Sequence, residues 1–345
     1  SVQADRSDYK ILQGIEAEFP ARSLNALVGP SGCGKTTLIK AFLGLVDSEG
    51  EIIVSGQGAD ANASSANLGF VPQFSVAHSS LSVEESLAYA YDLTVPETSK
   101  KVAVVEDVLQ FIGLSEHCEK RVSSLSGGQM RRLGLGLELV SSPDCLICDE
   151  VTSGLDPLSE DQIIALLRSL VDAQDKTFIC TIHNLAKLPD FDHITVLYQG
   201  RLVFQGDFEA LKAWFEIEDP LMLYHALAGQ ELEYWLEKRI RAMQEYDDSG
   251  NARRLSSSVA TEQDTRKHGD PKLPSAASQL FTLLRRRYQL LLRDTGYLWL
   301  LLALTFGFPC IVVIFAIKGL PQIEGLSLER SGSFIQQLQG DLRYR

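Results

Sequence analysis

The sequence has no excess of basic charge, few cysteines, no N-terminal secretory segment and no evident internal repeat. Its 345 residues carry 32 Lys and Arg against 45 Asp and Glu, which gives a net charge of −13. This balance argues against nucleic acid as the main partner, because neutralising phosphates needs a strongly basic surface, although a local basic patch is compatible with an acidic total. The six cysteines indicate a reducing compartment and not a disulfide framework.

The chain does show an alternation of short β-like runs with helical stretches, over residues 1 to about 215. This pattern predicts an α/β fold, a sheet covered by helices, and the length allows two domains or one domain with appendages. A helical pattern follows from about 207 to 246, where Leu211, Trp214 and Phe215 recur at helix-face spacing and predict a packed face. The predicted strands are Leu24 to Val28, Leu68 to Val71, Cys145 to Cys148, Phe178 to Ile182 and Ile194 to Tyr198.

A glycine-rich segment at residues 29 to 37 has the composition of a phosphate-binding loop. Its glycines let the backbone curl close to phosphate oxygens, Lys35 can place a point charge at the β and γ phosphates, and Thr36 can offer its hydroxyl to Mg²⁺. Leu38 and Ile39 then open a helix, so the loop has the strand, loop and helix context that it requires. The predicted nucleotide ligands are Gly29, Pro30, Ser31, Gly32, Cys33, Gly34, Lys35, Thr36 and Thr37.

An acidic pair, Asp149 and Glu150, closes the apolar run from Cys145 to Cys148. A carboxylate at a strand tip can hold Mg²⁺ through water, so Asp149 is a candidate metal residue, and Glu150 can orient or deprotonate an attacking water. The first and last residues of this apolar run, Cys145 and Cys148, form a Cys-x-x-Cys pair. Residues three apart in a strand point to opposite faces, so core packing is favoured there over a metal or redox role.

A second string, Leu125-Ser-Gly-Gly-Gln129, lies between the loop and the acidic pair. It resembles the signature peptide of ATP-binding cassette (ABC) ATPases, and the resemblance covers nearly the whole chain. That resemblance implies an ABC-type P-loop ATPase, with a mixed sheet core and a helical signature subdomain, that binds ATP and Mg²⁺. At a helix start, Ser126, Gly127 and Gly128 would offer a hydroxyl, amides and a favourable dipole to a γ phosphate, with Gln129 beside them.

The resemblance extends to three further loops. Gln73, in Phe-Val-Pro-Gln, resembles the residue that reaches Mg²⁺ and the hydrolytic water, so it is both a catalytic and a metal candidate. Asp156 lies in a segment that resembles the loop touching the partner's site, and His183 resembles the switch histidine at the γ phosphate. The implied catalytic residues are therefore Glu150, His183 and Gln73, and Thr36, Gln73 and Asp149 are the implied metal residues. Tyr9 is a candidate to stack on adenine, or else a plain strand residue.

In this family the phosphate bound by a signature peptide belongs to the nucleotide of the opposing cassette. One loop and one signature in the chain therefore imply a dimer with a second ABC half-transporter, whether identical or different. Val151 stands where the family usually has proline, which removes no catalytic group.

The chain beyond the cassette changes in composition. We expect residues 1–230 to form the nucleotide-binding domain, 231–277 a helical extension and polar linker, 278–294 an amphipathic connecting helix and 295–318 a transmembrane helix. Residues 319–345 would begin a non-cytoplasmic segment of a longer polypeptide. Arg253-Arg254-Leu-Ser256 in the linker could attract a kinase, but a solvated linker is the simpler interpretation.

The uncharged apolar run from Tyr297 to Ile317 is long enough to cross a hydrocarbon core of about 30 Å as a helix. The segment Ser278 to Arg293 before it places leucines among four arginines, which suits a helix along the cytoplasmic interface. The positive-inside bias places the ATPase in the cytoplasm. Gly307 and Pro309 predict a kink, which membrane helices tolerate. The alternative is a buried hairpin of a soluble protein.

The order of parts, cassette before membrane segment, resembles the reverse-topology half-transporters of the G type, as does Gly136-Leu-Glu138-Leu. The resemblance implies the ATP-binding and ATP-hydrolysing subunit of an exporter half-transporter in an inner or plasma membrane. Its partners would be a second half-transporter, the lipid bilayer and an unknown substrate, and not nucleic acid. A soluble cassette protein of translation or DNA repair would carry two cassettes or a long insertion and no apolar span. A regulatory cassette that holds ATP as a structural switch would usually lack Glu150, Gln73 or His183.

Overall fold

A computed structural model describes residues 2–3, 10–50, 52, 67–73, 77–248 and 273–318. Its backbone divides into two compact units, Ser1–Thr282 and Leu283–Arg345. Tyr9, Arg253 to Ser256 and residues 319–345 lie outside the described residues, so the predictions made for them remain predictions.

The first unit is built on a six-stranded sheet in the order β4-β5-β6-β3-β7-β8. All neighbouring strands are parallel except β7 and β8, so the sheet is mixed, as expected. A separate antiparallel pair is formed by β1 and β2. The strands are β1 Val2–Gln3, β2 Lys10–Leu12, β3 Leu24–Val28, β4 Leu68–Val71, β5 Cys145–Cys148, β6 Thr177–Thr181, β7 His193–Tyr198 and β8 Arg201–Gly206.

Strand β3 occupies an interior position in the sheet, and all five of its residues are buried. A run of apolar residues without alternation is what a parallel strand covered on both faces requires. The sequence did not predict β8. Gln199 and Gly200, both at positive φ, form the tight turn that joins β7 to it, a geometry typical of two-residue hairpins.

Helices cover both faces of this sheet. A capping box between Ser82 and Glu85 stabilises the N-terminus of helix α2. This helix packs with α3 and α4 in one helical layer. The helices of the first unit are α1 Lys35–Phe42, α2 Val83–Thr94, α3 Lys101–Phe111, α4 Gly127–Leu139, α5 Pro157–Gln174, α6 Phe208–Phe215, α7 Leu223–Ala228 and α8 Leu232–Asp248.

Helices α6 and α8 pack on β8. Leu211 and Phe215 are buried, and Trp214 packs against the same core, so the packed face predicted on α6 is confirmed. The ring of Trp235 on α8 lies 4.9 Å from that of Phe215. Arg239 on α8 donates to Leu202 O at 3.0 Å, which attaches this helix to the sheet.

Helix α9, Ala276–Arg293, leads from the first unit into the second. The second unit then contains α10 Thr295–Leu302, a π-helical segment Ala303–Gly307 and α11 Phe308–Lys318. The continuous helix Thr295–Ala316 has 22 residues, is long and apolar enough to cross a membrane, and none of it is buried. The π segment ends at Gly307, one of the two residues for which a kink is predicted, and Phe308 separates it from the other, Pro309.

Candidate functional site

The phosphate-binding loop connects β3 to α1, as the sequence predicted. Close packing requires glycine at position 29, because a Cβ there would lie 2.2 Å from Leu197 O. Gly34 caps α1 with φ at 105°, a left-handed conformation that side chains disfavour. Gly32 and Thr36 lie at the exposed surface of the loop, and the Cys33 side chain is buried. The loop therefore presents backbone and hydroxyl groups to solvent and places its thiol inward.

Lys35 carries the positive charge of this loop. Its Nζ donates to Gly29 O at 2.6 Å and to Pro30 O at 3.3 Å. In the part of the chain that the structure describes, no carboxylate forms an ion pair with Lys35. An ammonium held only by carbonyls, next to the unpaired amides of a helix N-terminus, fits the phosphates of ATP. Cys33 N donates to Pro30 O at 3.2 Å, so this amide maintains the shape of the loop.

The three catalytic candidates lie together. Gln73 Nε2 donates to Glu150 Oε2 at 2.6 Å, and His183 Nε2 lies 2.6 Å from Glu150 Oε1. The three residues follow neighbouring parallel strands, β4, β5 and β6, whose carboxyl ends meet at one edge of the sheet. The pairing of Val71 with Cys148, and of Cys148 with Cys180, fixes the relative height of these strand ends.

Thr181, at the end of β6, holds both residues of the acidic pair. Its Oγ1 accepts from Glu150 N at 2.6 Å and donates to Asp149 Oδ1 at 2.9 Å. Asp149 N in turn donates to Val71 O at 2.9 Å. Sequence reasoning missed Thr181. The available signal was a hydroxyl residue at the end of an apolar strand, two positions before His183.

The metal candidates are consistent with Mg²⁺ chemistry. Among the described residues there is no cluster of three His, Cys, Asp or Glu that could hold a metal ion. Mg²⁺ bound with a nucleotide needs no such cluster, because it takes one or two protein oxygens, several waters and the phosphates. Asp149 is buried, and the hydroxyl of Thr36 is exposed on the loop, so these groups suit a site completed by the nucleotide.

The signature peptide begins α4 with a capping box. Ser126 Oγ accepts from Gln129 N at 3.3 Å, and Gln129 Oε1 accepts from Ser126 N at 3.0 Å. The Gln129 side chain thus stabilises the helix start. Gly128 is packed closely, because a Cβ there would lie 3.1 Å from Ser159 Oγ.

Asp156 also caps a helix in this chain. Its carboxylate accepts from Ser159 N at 3.0 Å and from Ser159 Oγ at 2.6 Å, and the latter bond is the main reason that its pKa is lowered. Arg131 of α4 donates to Ser153 O at 3.3 Å, in the turn after Glu150. The signature helix is therefore attached to the loop that follows the acidic pair.

Glu138 gives the Gly136-Leu-Glu138-Leu string a structural role. Its Oε2 accepts from Phe70 N at 3.2 Å, which connects α4 to the strand that leads to Gln73. Burial raises the pKa of this carboxyl, and the bond to Phe70 N opposes the rise.

The cysteine pair of β5 packs in the core, as predicted. Cys148 belongs to one apolar layer, and Cys145 packs against the layer on the opposite face of the sheet. Burial raises the pKa of Cys145 to about 12. All six cysteines are free thiols.

The family model described as ABC transporter matches residues 12–153. The ATP-binding/permease protein Rv1747 of Mycobacterium tuberculosis is 32% identical over 311 residues, which are 87% of this chain and 34% of that protein. The ABC transporter G family member 7 of Arabidopsis thaliana is 33% identical over 60% of this chain and 30% of its own length. This chain thus spans about a third of each of these two relatives.

Two solved structures share the fold. A bacterial Atm1-family ABC exporter with ATP bound aligns with a TM-score of 0.54 and 30% identity, over 67% of this chain and 41% of that one. CbiO1 from Clostridium perfringens, part of the ABC transporter complex cbiONQ, aligns with a TM-score of 0.56 and 27% identity, over 61% and 88% respectively.

The energy-coupling factor transporter ATP-binding protein EcfA1 of Thermotoga maritima is 32% identical over 250 residues, or 72% of this chain and 93% of that protein. A match that runs almost the full length of one ATP-binding protein establishes the family: this chain belongs to the ATP-binding proteins of ABC transporters.

Proposed function

We propose that the chain is the cassette and first membrane segment of a G-type half-transporter that exports a substrate. The observation that carries this proposal is the exposed apolar helix Thr295–Ala316 after the cassette in the same chain. A core helix of a soluble protein would be buried. The printed name of the mycobacterial relative combines ATP-binding and permease parts, and several relatives are G family members.

The site geometry supports a division of labour among its residues. Lys35 would contact the β and γ phosphates, and Thr36, Asp149 and Gln73 would hold the Mg²⁺ that accompanies them. Glu150 would accept a proton from the attacking water. His183, which touches Glu150, would contact the γ phosphate.

The signature peptide would act on a second copy or a related half-transporter. Ser126, Gly127 and Gly128 would contact the γ phosphate bound by the opposite cassette, so ATP would join the two cassettes. Closing on ATP and reopening after hydrolysis would shift the membrane segments between two states. Helix α9, with exposed Leu280, Phe281 and Leu284 beside its arginines, would lie along the cytoplasmic face of an inner or plasma membrane.

The experiment is Mg²⁺-dependent ATP hydrolysis by the full-length protein in lipid vesicles, beside Glu150→Gln, with dimerisation followed by crosslinking. We expect hydrolysis in the parent, loss of hydrolysis in the variant, and ATP-dependent dimers in both. If the parent binds ATP without hydrolysing it, the transport role is wrong and a regulatory role replaces it. Extraction of the chain from vesicles by alkaline carbonate would contradict the membrane-spanning part of the proposal.

A further inference from the structure

Strand β6 lies between the strand that carries the acidic pair and the strand that leads to the phosphate-binding loop. Its last residue, Thr181, is level with Leu27 of β3 on one side. On the other side, the paired residues of β5 and β6 end at Cys148 and Cys180. The next residues along the two segments, Asp149 and Thr181, therefore lie side by side, with their side chains on the same face of the sheet.

The single hydroxyl of Thr181 serves both acidic residues, and it does so in one arrangement. Glu150 N donates to Thr181 Oγ1 at 2.6 Å, which leaves the one hydrogen of this hydroxyl for Asp149 Oδ1, at 2.9 Å. Thr181 is only 1% exposed, so water has little access to replace either bond. Thr181 thus accepts from the backbone of one acidic residue and donates to the carboxylate of the other.

The bond to Glu150 N acts on a strained backbone. Glu150 has a φ of 52°, in the left-handed region that residues with a Cβ disfavour, and such a conformation persists only where its surroundings support it. Its carbonyl accepts from Ser153 N at 3.0 Å, and its amide donates to Thr181. The direction of the Glu150 side chain, toward Gln73 and His183, depends on this backbone conformation.

The bond to Asp149 acts on a carboxylate that is a candidate for the Mg²⁺ site. Thr181 engages Oδ1, and in the part of the chain that the structure describes no hydrogen bond reaches Oδ2. A fixed carboxylate with one oxygen free of protein partners suits a water of Mg²⁺, whose octahedral shell needs its ligands in defined directions. Without the hydroxyl of Thr181, this buried carboxylate would lose a donor and could turn.

We propose that Thr181 is a positioning residue for ATP hydrolysis, whose hydroxyl fixes the backbone of Glu150 and the carboxylate of Asp149 at the same time. This inference rests on the proposed roles of these two residues. The hydroxyl acts on the base and on the metal site, and not on the loop that holds the nucleotide. Its loss should therefore lower turnover more than it lowers nucleotide affinity.

The test compares Thr181→Val with Thr195→Val in the full-length protein in lipid vesicles. Thr195 is a matched control, because it is also fully buried, it is level with Leu27 on the opposite side in β7, and its hydroxyl accepts from Gln205 Nε2 at 2.9 Å. Both changes keep the branched shape of the side chain and remove its hydroxyl. With Mg²⁺ and ATP, we expect Thr181→Val to lower kcat by about 10- to 100-fold and to raise KM by less than about fivefold, and Thr195→Val to change kcat by less than about twofold.

Thr181→Ser separates positioning from packing. Serine keeps the hydroxyl and loses the methyl group, whereas valine keeps the methyl group and loses the hydroxyl. We expect the kcat of Thr181→Ser to stay within about threefold of the parent, although the lost methyl group lowers its melting temperature. All variants are assayed below their melting temperatures, and Thr181→Ala replaces Thr181→Val in the comparison with Thr181→Ser if the valine variant does not fold.

A second readout needs no hydrolysis. The affinity for a fluorescent ATP analogue is measured with Mg²⁺ and with EDTA, and the ratio gives the gain in affinity from the metal. We expect this gain to shrink about threefold in Thr181→Val and to stay within about 1.5-fold of the parent in Thr195→Val, because only the first change frees the carboxylate of Asp149.

The outcomes distinguish this inference from the proposed function. If the parent does not hydrolyse ATP, or gains no affinity from Mg²⁺, the proposed roles of Glu150 and Asp149 are wrong, and the inference that rests on them fails as well. If the parent does both and Thr181→Val matches Thr195→Val in either readout, the positioning role of Thr181 alone is wrong. The same conclusion follows if Thr181→Ser loses as much kcat as Thr181→Val does.

Discussion

His183 Nε2 lies 2.6 Å from Glu150 Oε1, although the two residues are 33 positions apart in the chain. The other carboxylate oxygen of Glu150 accepts from Gln73 at 2.6 Å. Both oxygens of the proposed base are therefore engaged by residues that the sequence already placed in the same site. Each carboxylate oxygen keeps a second lone pair, so an attacking water can bind Glu150 beside these two partners.

Replacing Glu150 by Gln is expected to lower ATP hydrolysis by about 10²–10⁴-fold, because a general base typically contributes that much. The amide keeps the size and one acceptor of the carboxylate, so nucleotide binding should persist. Phosphate release by the full-length protein in vesicles measures the rate. Glu237→Gln, an exposed change on α8, is the control, and equal rates in the two variants would contradict the role of Glu150.

Lys35→Met is expected to weaken ATP binding by about 10- to 100-fold, because a hydrogen bond to a charged group contributes roughly 1.5–3 kcal/mol. Lys176→Met is a matched control. Lys176, directly before β6, is also a buried lysine, and its Nζ donates to a main-chain oxygen, Pro143 O, at 2.6 Å. Titration with a fluorescent ATP analogue compares the two variants, and the same affinity loss in both would mean that Lys35 acts only through stability.

Ser126→Ala is expected to cost about 1 kcal/mol of stability through the lost helix cap and also to abolish ATP-dependent dimerisation. Ser82→Ala removes the hydroxyl from an equivalent capping box, in which Ser82 Oγ accepts from Glu85 N at 3.1 Å. The melting temperature should fall by a similar amount in both variants. In the Glu150→Gln background, crosslinking in the presence of ATP should detect dimers of the Ser82→Ala variant and none of the Ser126→Ala variant. Dimers in both would exclude a nucleotide contact for Ser126.

The sequence predicted most of the sheet because parallel strands buried on both faces read as unbroken apolar runs. Leu24 to Val28, Leu68 to Val71 and Cys145 to Cys148 have the predicted bounds, and β6 and β7 each begin one residue earlier. Strand β8 was missed because Arg201 and Gln205 bound an apolar run of only three residues, Leu202 to Phe204.

The site was predicted where a motif specifies chemistry and missed where a residue acts on a motif from a distance. Gln73, Glu150 and His183 carry recognisable neighbours in the chain. Thr181 does not, because its partner Asp149 is brought to it only by strand pairing. Such contacts can be identified only from the folded structure.

Glu138→Gln is expected to raise the melting temperature at pH 7.5. Burial raises the pKa of Glu138 in the folded state, so the ionised carboxylate destabilises the fold above that pKa. The glutamine can still accept from Phe70 N, without the buried charge. The gain should shrink as the pH falls through the raised pKa and vanish below the pKa of the unfolded chain.

Thermal unfolding between pH 4 and 8 (approximately) checks the effect of Glu138→Gln, with Glu116→Gln as an exposed control. A gain that does not depend on pH, or one that the control shares, would contradict burial as the cause.

The thiols of Cys145 and Cys148 are expected to resist alkylation in the folded chain. Burial raises the pKa of Cys145 to about 12, and the hydrogen bond to Cys180, with burial, raises that of Cys148. Little thiolate therefore exists near neutral pH. Iodoacetamide labelling followed by mass spectrometry, with and without urea, measures the protection. Rapid labelling of Cys148 in the folded chain would favour a reactive role over core packing.

The capping box at Ser126 has a consequence for the entropy of association. Its hydroxyl oxygen already accepts from Gln129 N, while the hydroxyl hydrogen is the group that would turn toward a phosphate of the opposite cassette. The rotamer of Ser126 is thus restricted when the helix folds, before any nucleotide is bound. If Ser126 contacts that phosphate, dimer closure need not immobilise this side chain, and more of the contact energy remains for holding the two cassettes together.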